Sequence, residues 1–239
     1  MKIYSIKTKK ILANKTTVTQ FIDDYIKEIK NNSVIVITSK VISLMQNRVA
    51  RNTEDKDELI RREADYIANK RNRYGRFTTI KYNALISGSG IDESNGNGDY
   101  ILLPLNPQKV AKEIYQYLSK KFKKKSFGVV ITDSRSMPLR CGASGVAIGF
   151  YGFSPLRSYV GREDIFGRKL QFEKANIVDS LATAAVLIMG EGSEQTPIAI
   201  IEDLDFIKFS NLKPTKKDLD EFYLTLDEDI FHQFYKDFK

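Results

Sequence analysis

Ser33-Val34-Ile35-Val36-Ile37-Thr38-Ser39-Lys40 is a run of four β-branched apolar residues that closes in small polar ones. A run without alternation reads as a strand buried on both faces, so it demands a packed layer on either side. Two later segments share its character. Phe127-Gly128-Val129-Val130-Ile131-Thr132 reads as a second buried strand and delivers Asp133-Ser134 at its end. Pro197-Ile198-Ala199-Ile200-Ile201 reads as a third, placed at a sheet edge by its proline.

Helical spacing surrounds these strands. Val18, Phe21, Ile22, Tyr25, Ile26 and Ile29 predict a helix over 18–31, and Thr17 with Gln20 supplies a capping box. A second helix is expected over 56–70, with Leu59, Ile60, Ala64 and Ile67 inward. Residues 77–86 and 100–103 read as strands flanking a glycine-rich loop. Asn106-Pro107 opens a helix with an N-cap and a proline at its first position, its inner face being Val110, Ile114, Tyr117 and Leu118. Residues 177–189, dominated by Leu, Ala, Val and Ile, read as a buried helix that Gly190-Glu191-Gly192-Ser193-Glu194 ends. Residues 139–160 show no clean period, and 215–239 predict two short amphipathic helices, with His232 an ordinary surface or packing residue. Strands and helices interleave without a regular βαβ rhythm. The expected class is α+β, mixed sheets with packed helices, in a single domain over 1–239.

Composition narrows the chemistry. With 42% hydrophobic and 28% charged residues in 239, the chain has the balance of an ordinary soluble globular protein. No apolar run approaches the ~20 residues a membrane helix needs, and Met1-Lys2-Ile3-Tyr4-Ser5-Ile6-Lys7 carries no signal-peptide apolar region. The expectation is a cytoplasmic protein with no membrane partner. One cysteine, Cys141, and one histidine, His232, exclude an internal disulfide, a cysteine zinc cluster, multi-histidine metal sites and histidine triads. Any metal rests on oxygen ligands. The net charge of +8 points to anionic partners. The densest run, Lys120-Lys121-Phe122-Lys123-Lys124-Lys125, closes a helix, where cations complement the dipole. No recognition motif accompanies the charge, so a phosphate-rich small molecule is expected and nucleic acid is not.

The loop Ser87-Gly88-Ser89-Gly90-Ile91-Asp92-Glu93-Ser94-Asn95-Gly96-Asn97-Gly98-Asp99 carries the densest chemistry. Its glycines allow sharp turns and close approach to a phosphate, and Asp92 and Asn95 offer hard oxygen ligands of the kind magnesium or manganese prefers. A tight structural loop has the same composition. Several alternatives fail on their spacing. There is no G-x-x-x-x-G-K-[ST], no third glycine of a dinucleotide fingerprint and no G-x-S-x-G elbow. Asn97 stands where a calcium loop beginning at Asp92 requires glycine. What remains is three acidic ends in small-residue loops: Asp92, Asp133 with Ser134, and Glu191. Carboxylates converging on one cleft need a metal or an amine to offset their repulsion. Two magnesium ions bridging a nucleoside triphosphate would serve.

In order along the chain, Thr38-Ser39-Lys40-Val41-Ile42-Ser43, Gly90-Ile91-Asp92-Glu93-Ser94-Asn95, Ile131-Thr132-Asp133-Ser134, Gly161-Arg162-Glu163-Asp164-Ile165-Phe166-Gly167-Arg168-Lys169-Leu170 and Met189-Gly190-Glu191 resemble the coenzyme F-420 gamma-glutamyl ligase (CofE-like) family. The resemblance covers about residues 5–205. It implies a two-lobed architecture with 206–239 as a C-terminal helical extension, a homodimer, GTP or ATP as co-substrate, and Mg2+ or Mn2+, two ions. It also implies activation of an acceptor carboxylate and its joining to the amine of L-glutamate. By position it implies metal ligation by Asp92, Asp133, Ser134 and Glu191, with the two aspartates catalytic. Lys9, Lys10, Ile11, Leu12, Ser39, Lys40, Asn95, Met189, Gly190 and Gly192 would contact nucleotide. Arg140, Arg162 and Arg168 are candidates for anionic substrate groups, since guanidinium forks fit carboxylate and phosphate. Two departures stand out. Leu44 occupies the place of a second lysine, and Arg135-Ser136-Met137-Pro138-Leu139-Arg140 replaces Phe-Gly-Arg-Pro-Trp-Arg. The loops at 91–98 and 190–197 look like the folate-metabolism branch, so the expected acceptor is a folate (tetrahydrofolate) ahead of the deazaflavin precursor. A non-catalytic nucleotide- or cofactor-binding protein of the same fold is the alternative, supported by Leu44.

Overall fold

The computed structural model describes residues 1–210, 214 and 216–239. In chain order its elements are β1 (Lys2–Ile6), α1 (Val18–Tyr25), β2 (Ser33–Thr38), α2 (Ser39–Met45), β3 (Val49–Ala50), α3 (Lys56–Glu63), β4 (Tyr66–Arg71), β5 (Phe77–Lys81), β6 (Ala84–Ser87), β7 (Tyr100–Ile101), α4 (Pro107–Phe122), β8 (Phe127–Ser136), β9 (Ala143–Tyr151), β10 (Leu156–Ser158), β11 (Lys174–Asn176), α5 (Ile177–Met189), β12 (Ile198–Glu202) and α6 (Lys216–Phe222). The class is α+β, as the sequence predicts. Among the described residues no helix is long and apolar enough to cross a membrane.

The main sheet has the order β1-β12-β2-β8-β9. β2 and β8 run parallel and all other neighbours antiparallel. The unbroken apolar run of β2 is explained by what covers it. Ile35 and Ile37 pack into a layer with Phe21, Ile22, Ile114 and Leu118 of α1 and α4. Val34 and Val36 pack on the other face with Val178, Leu181 and Ala182 of α5. Each fully buried side chain of this size contributes about 1.5–3 kcal/mol, so both helix layers are pinned to this strand. A smaller sheet, β4-β5-β6, has its own core of Leu59, Ile60, Phe77, Ile91 and Leu102. Its outer strand is extended by the end of the chain: Ile67 N donates to Lys239 O at 2.9 Å and Lys239 N returns to Ile67 O at 3.0 Å.

Several expectations are corrected. The first helix keeps its capping box, but it stops at Tyr25, and Ile26 is extended (φ −104°, ψ 102°). Ile26 and Ile29 are still buried, on irregular chain. The helix expected over 56–70 ends at Glu63, and 66–71 is strand β4. Asp65 marks the break, accepting from Tyr82 N at 2.8 Å. Residues 77–86 are a hairpin with Tyr82 and Asn83 both at positive φ (52° and 55°), as a tight two-residue turn requires. Asn106 precedes α4 in the left-handed region (φ 48°) and makes no cap bond. β8 does not end at Thr132 but runs on through Ser136. Residues 143–151 form β9, and 39–45 form α2, which the sequence reading left unassigned. Pro197 does not place β12 at an edge. It precedes the strand and accepts from Thr38 N at 3.0 Å, so no ladder donor is lost. α5 is buried on one face only, with Leu187 82% exposed. In the tail, α6 and a short 3-10 turn over His232–Phe234 take the place of two helices, and His232 is exposed. The expected start at residue 215 lies outside the described residues.

Candidate functional site

Thr38 of β2 and Thr132 of β8 are the last pair of the parallel ladder. Beyond them the two chains part, and a cavity of about 750 Å³ opens there. The crevice outside the carboxyl ends of parallel strands is where open sheets bind ligands. Three further segments close around it, each held by identifiable bonds. Residues 8–12 are tied by Thr8 N to Gln195 O (2.8 Å) and by Lys9 N to the Tyr25 hydroxyl (2.9 Å). The glycine-rich loop is anchored at Ser89, whose amide donates to Thr79 Oγ1 (2.8 Å) and whose hydroxyl donates to Ile60 O (2.9 Å). Gly90 is required there, since a Cβ would stand 2.8 Å from the Leu103 side chain and φ is +69°. Asp92 then exchanges both backbone bonds with Ile101, at 2.9 and 2.8 Å. The loop after α5 is stapled by Thr196 Oγ1 to Met189 O (2.6 Å) and by Gly192 N to Glu194 Oε2 (2.8 Å). Asn95 Nδ2 reaches Gly192 O at 3.4 Å and joins the two loops.

Two carboxylates and one ammonium organise the floor. Ser39 Oγ donates to Asp133 Oδ1 at 2.8 Å. Lys40 Nζ lies 2.5 Å from Asp92 Oδ2 and donates to Ser94 Oγ at 2.9 Å. Ser94 N donates to Asp92 Oδ1 at 2.7 Å. Burial works to raise the Asp92 carboxyl, but the Lys40 ammonium and the Ser94 amide outweigh it and leave it below its ordinary value. Asp133 goes the other way. Burial pushes it up to about 6, against the pull of the Ser39 hydroxyl, the Ser134 amide and the Lys40 charge, and Asp92 adds to the rise. The two carboxyls are thus shifted in opposite directions, Asp92 down by its amine and Asp133 up by burial.

Among the described residues no group of three or more carboxylate, imidazole or thiol side chains is gathered as a metal cluster. Asp92, Asp133, the Ser134 hydroxyl and Glu191, all oxygen donors, are nonetheless among the residues lining the cavity. That set suits a hard divalent cation completed by phosphate oxygens and not a soft one. Lys40 already supplies one positive charge to the carboxylates.

Of the residues singled out in the sequence, Lys9, Lys10, Ile11, Leu12, Lys40, Asp92, Asn95, Asp133, Ser134, Met189, Gly190, Glu191 and Gly192 all line this one cavity. Ser39 reaches it through Asp133. Leu44 also lines it, presenting an apolar wall. Arg140, Arg162 and Arg168 are not among the lining residues and stand exposed on two surface connections. Arg140 Nη1 donates to Leu139 O (3.2 Å), and the Arg162 guanidinium lies 5.5 Å from the Tyr159 ring. Arg135, which the sequence reading quoted only as part of a departing loop, is not among the lining residues either. It follows Asp133 by two on β8, hence on the same face, and its Nε is buried without a hydrogen-bond partner. Ending the strand at Thr132 hid that spacing.

A family model described as F420-0:Gamma-glutamyl ligase matches residues 52–203, well over half of the chain. A Methanosarcina mazei protein named coenzyme F420:L-glutamate ligase is 41% identical over 119 residues, 49% of this chain and 46% of that protein. A Methanococcus maripaludis protein of the same name is 39% identical over 134 residues, 56% of this chain and 53% of the relative. A third of that name, from Methanocaldococcus jannaschii, is 32% identical over 206 residues, 77% of this chain and 80% of the relative. The chain spans about half the length of the first two. The matched stretch carries both carboxylates of the cavity floor and the loop after α5, and on that footing the chain belongs to the F420-0:gamma-glutamyl ligase family.

Proposed function

We propose that this protein is a nucleotide- and divalent-metal-dependent gamma-glutamyl ligase, one ligase domain of two lobes acting as a homodimer. The observation that carries the reading is the convergence of residues 8–12, Lys40, the loop at Asp92–Asn95, Asp133-Ser134 and the loop at Gly190–Thr196 on one cavity of about 750 Å³. That volume is right for a nucleoside triphosphate. The backbone of residues 8–12 and of the loop after α5 would embrace the base and sugar. Lys40 and the glycine-rich loop would face the phosphates. Asp92, Asp133, Ser134 and Glu191 would hold the cation, which supplies neutralisation of phosphate charge.

In the reaction, an oxygen of the acceptor carboxylate attacks the γ-phosphorus and the bond to the nucleoside diphosphate oxygen breaks, giving an acyl phosphate. The glutamate amine then attacks the acyl carbon. Inorganic phosphate leaves with the carbonyl's former oxygen partner, the amine loses a proton, and an amide remains. The departing phosphate takes up that proton. The acceptor is the deazaflavin precursor, in keeping with the relatives' names, or a folate, in keeping with the loops at 91–98 and 190–197.

The test is a mass-spectrometric ligation assay. Protein is incubated with GTP or ATP, magnesium or manganese, L-glutamate, and either acceptor. A glutamyl mass increment on one acceptor establishes the ligase and names its substrate. Nucleotide binding with no increment on either refutes the substrate assignment.

A further inference from the structure

Asn95-Gly96 and Asn97-Gly98 are the two Asn-Gly pairs of the chain, and both fall in the glycine-rich loop at the cavity. Both asparagines line the cavity. Such a pair carries a latent reaction. The backbone nitrogen after an asparagine can close a five-membered ring on the asparagine Cγ, and a glycine there, having no Cβ, hinders that approach least. Water then opens the ring and leaves a carboxylate where the amide stood.

The surroundings restrain one pair and leave the other open. The Asn95 side chain is tied across the site, its Nδ2 donating to Gly192 O at 3.4 Å. Gly96 is packed against the turn that follows it. A Cβ built there would stand 2.1 Å from Asp99 O, and the Gly96 carbonyl accepts from Asp99 N at 3.1 Å. The Asn97 side chain makes no hydrogen bond among the described residues, and neither does the backbone N–H of Gly98. Asn97 is exposed, and nothing stands within 4 Å of a Cβ built on Gly98. The attacking nitrogen and the carbon it attacks are thus both unengaged at the second pair.

We propose that Asn97 is a site of spontaneous covalent modification that ages the cavity. The Gly98 nitrogen, losing its proton, attacks Asn97 Cγ; the bond from Cγ to Nδ2 breaks and ammonia carries the proton away. Water adds to the resulting cyclic imide. Cleavage between Cγ and the Gly98 nitrogen gives aspartate. Cleavage at the Asn97 backbone carbonyl gives isoaspartate, in which the main chain runs through Cγ and gains a methylene. Either product adds a negative charge to a lining that already holds Asp92, Asp133, Glu191 and Glu194. Like charges there oppose one another and the phosphates of a nucleotide. That last consequence rests on the ligase reading; the modification itself does not.

The test holds the full chain at mildly alkaline pH and samples it over days by peptide mass spectrometry, with fragmentation that separates aspartate from isoaspartate. Conversion of amide to acid is expected at Asn97 ahead of Asn95, and faster as the pH rises, because the attacking nitrogen must lose its proton. Asn97→Gln would need a six-membered ring and is expected to convert at least about tenfold more slowly at that position. Fresh and aged samples are then titrated with magnesium and guanosine triphosphate. Affinity is expected to fall at least about tenfold in the converted fraction, while Asn97→Gln keeps the affinity it had when fresh. An intact Asn97 after the incubation, or conversion of Asn95 first, overturns the assignment. Conversion without loss of affinity overturns the ageing of the cavity. A fresh chain that binds no nucleotide overturns the ligase reading alone, since the mass shift at Asn97 decides the modification without it.

Discussion

The Ser39 hydroxyl holds Asp133 Oδ1 at 2.8 Å, joining the first residue after β2 to the first residue of β8 beyond the parallel ladder. The same bond places a carboxylate where burial opposes its charge. In the unfolded chain that carboxyl titrates near 3.8 and in the folded protein near 6. Between those values the folded chain holds the extra proton, so this carboxyl's contribution to stability is fully present below about 3.8 and is lost as pH rises to about 6. Two units correspond to about 3 kcal/mol, an upper value because part of the group opens to the cavity.

Asp133→Asn is therefore expected to remove ligation and to stabilise the protein, by up to about 3 kcal/mol at pH 8. The gain should shrink as the pH is lowered toward 4. Urea unfolding of both chains at pH 4.5 and pH 8 measures it. An equal difference at both pH values contradicts a burial-strained carboxylate, and normal turnover contradicts the role given to Asp133.

Lys40→Met leaves Asp92 with its burial and without its ammonium partner, so the Asp92 carboxyl rises from its lowered position. Ser94 loses a donor as well, and the loop it belongs to loosens. Affinity for magnesium and nucleoside triphosphate should fall by at least about tenfold, with the loss larger at pH 5 than at pH 8. Titration calorimetry at the two pH values reads it. Unchanged affinity would separate Lys40 from the phosphates.

How much of this was legible in the sequence depended on whether the signal was local. The Thr17–Gln20 box and the apolar run of β2 are encoded in adjacent side chains, and the structure has both. β9 was illegible because two of its inward positions answer to distant backbone: a Cβ on Gly145 would lie 2.6 Å from the Ala182 carbonyl carbon, and one on Gly149 2.5 Å from the Pro107 carbonyl. Those glycines erase the alternation by which a strand is recognised. Residues 64–70 continue a helical apolar spacing, yet pairing with β5 and with the chain end makes 66–71 a strand. The cavity loops were legible because turning and approaching a phosphate need the same small residues. Arg135, whose Nε is buried without a partner, was not, since a guanidinium carries no spacing of its own. Only strand phase singles out Arg135 over Arg140, Arg162 and Arg168.

Gly149→Ala tests that account of β9. The new methyl would meet the Pro107 carbonyl carbon and oxygen, both at 2.5 Å, and backbone cannot rotate aside as a side chain does. Overpacking of this kind costs about 1–3 kcal/mol or more. Gly142→Ala is the control for strain without a clash, with nothing within 4 Å of the added carbon and φ +98°. Its cost should be the smaller. Unfolding midpoints in urea that rank the two the other way would show that α4 is not seated against β9 as described.

Leu44 lines the site cavity from α2, one turn beyond Lys40, and offers no charge where the resemblance implies a lysine. Its backbone is fastened, with Asn14 N donating to Leu44 O at 3.0 Å, so a substituted side chain starts from a fixed point. A lysine there can lay its methylenes along the apolar wall and carry its ammonium into the cavity. Leu44→Lys should tighten triphosphate binding about tenfold and steepen its dependence on salt, because a second ammonium joins Lys40 near the same anion. Diphosphate binding should gain less if the added charge lies by the terminal phosphate. Equal gains would place Leu44 nearer the inner phosphates, and a loss of affinity for both would mean that an apolar ligand surface, not a phosphate, rests on Leu44.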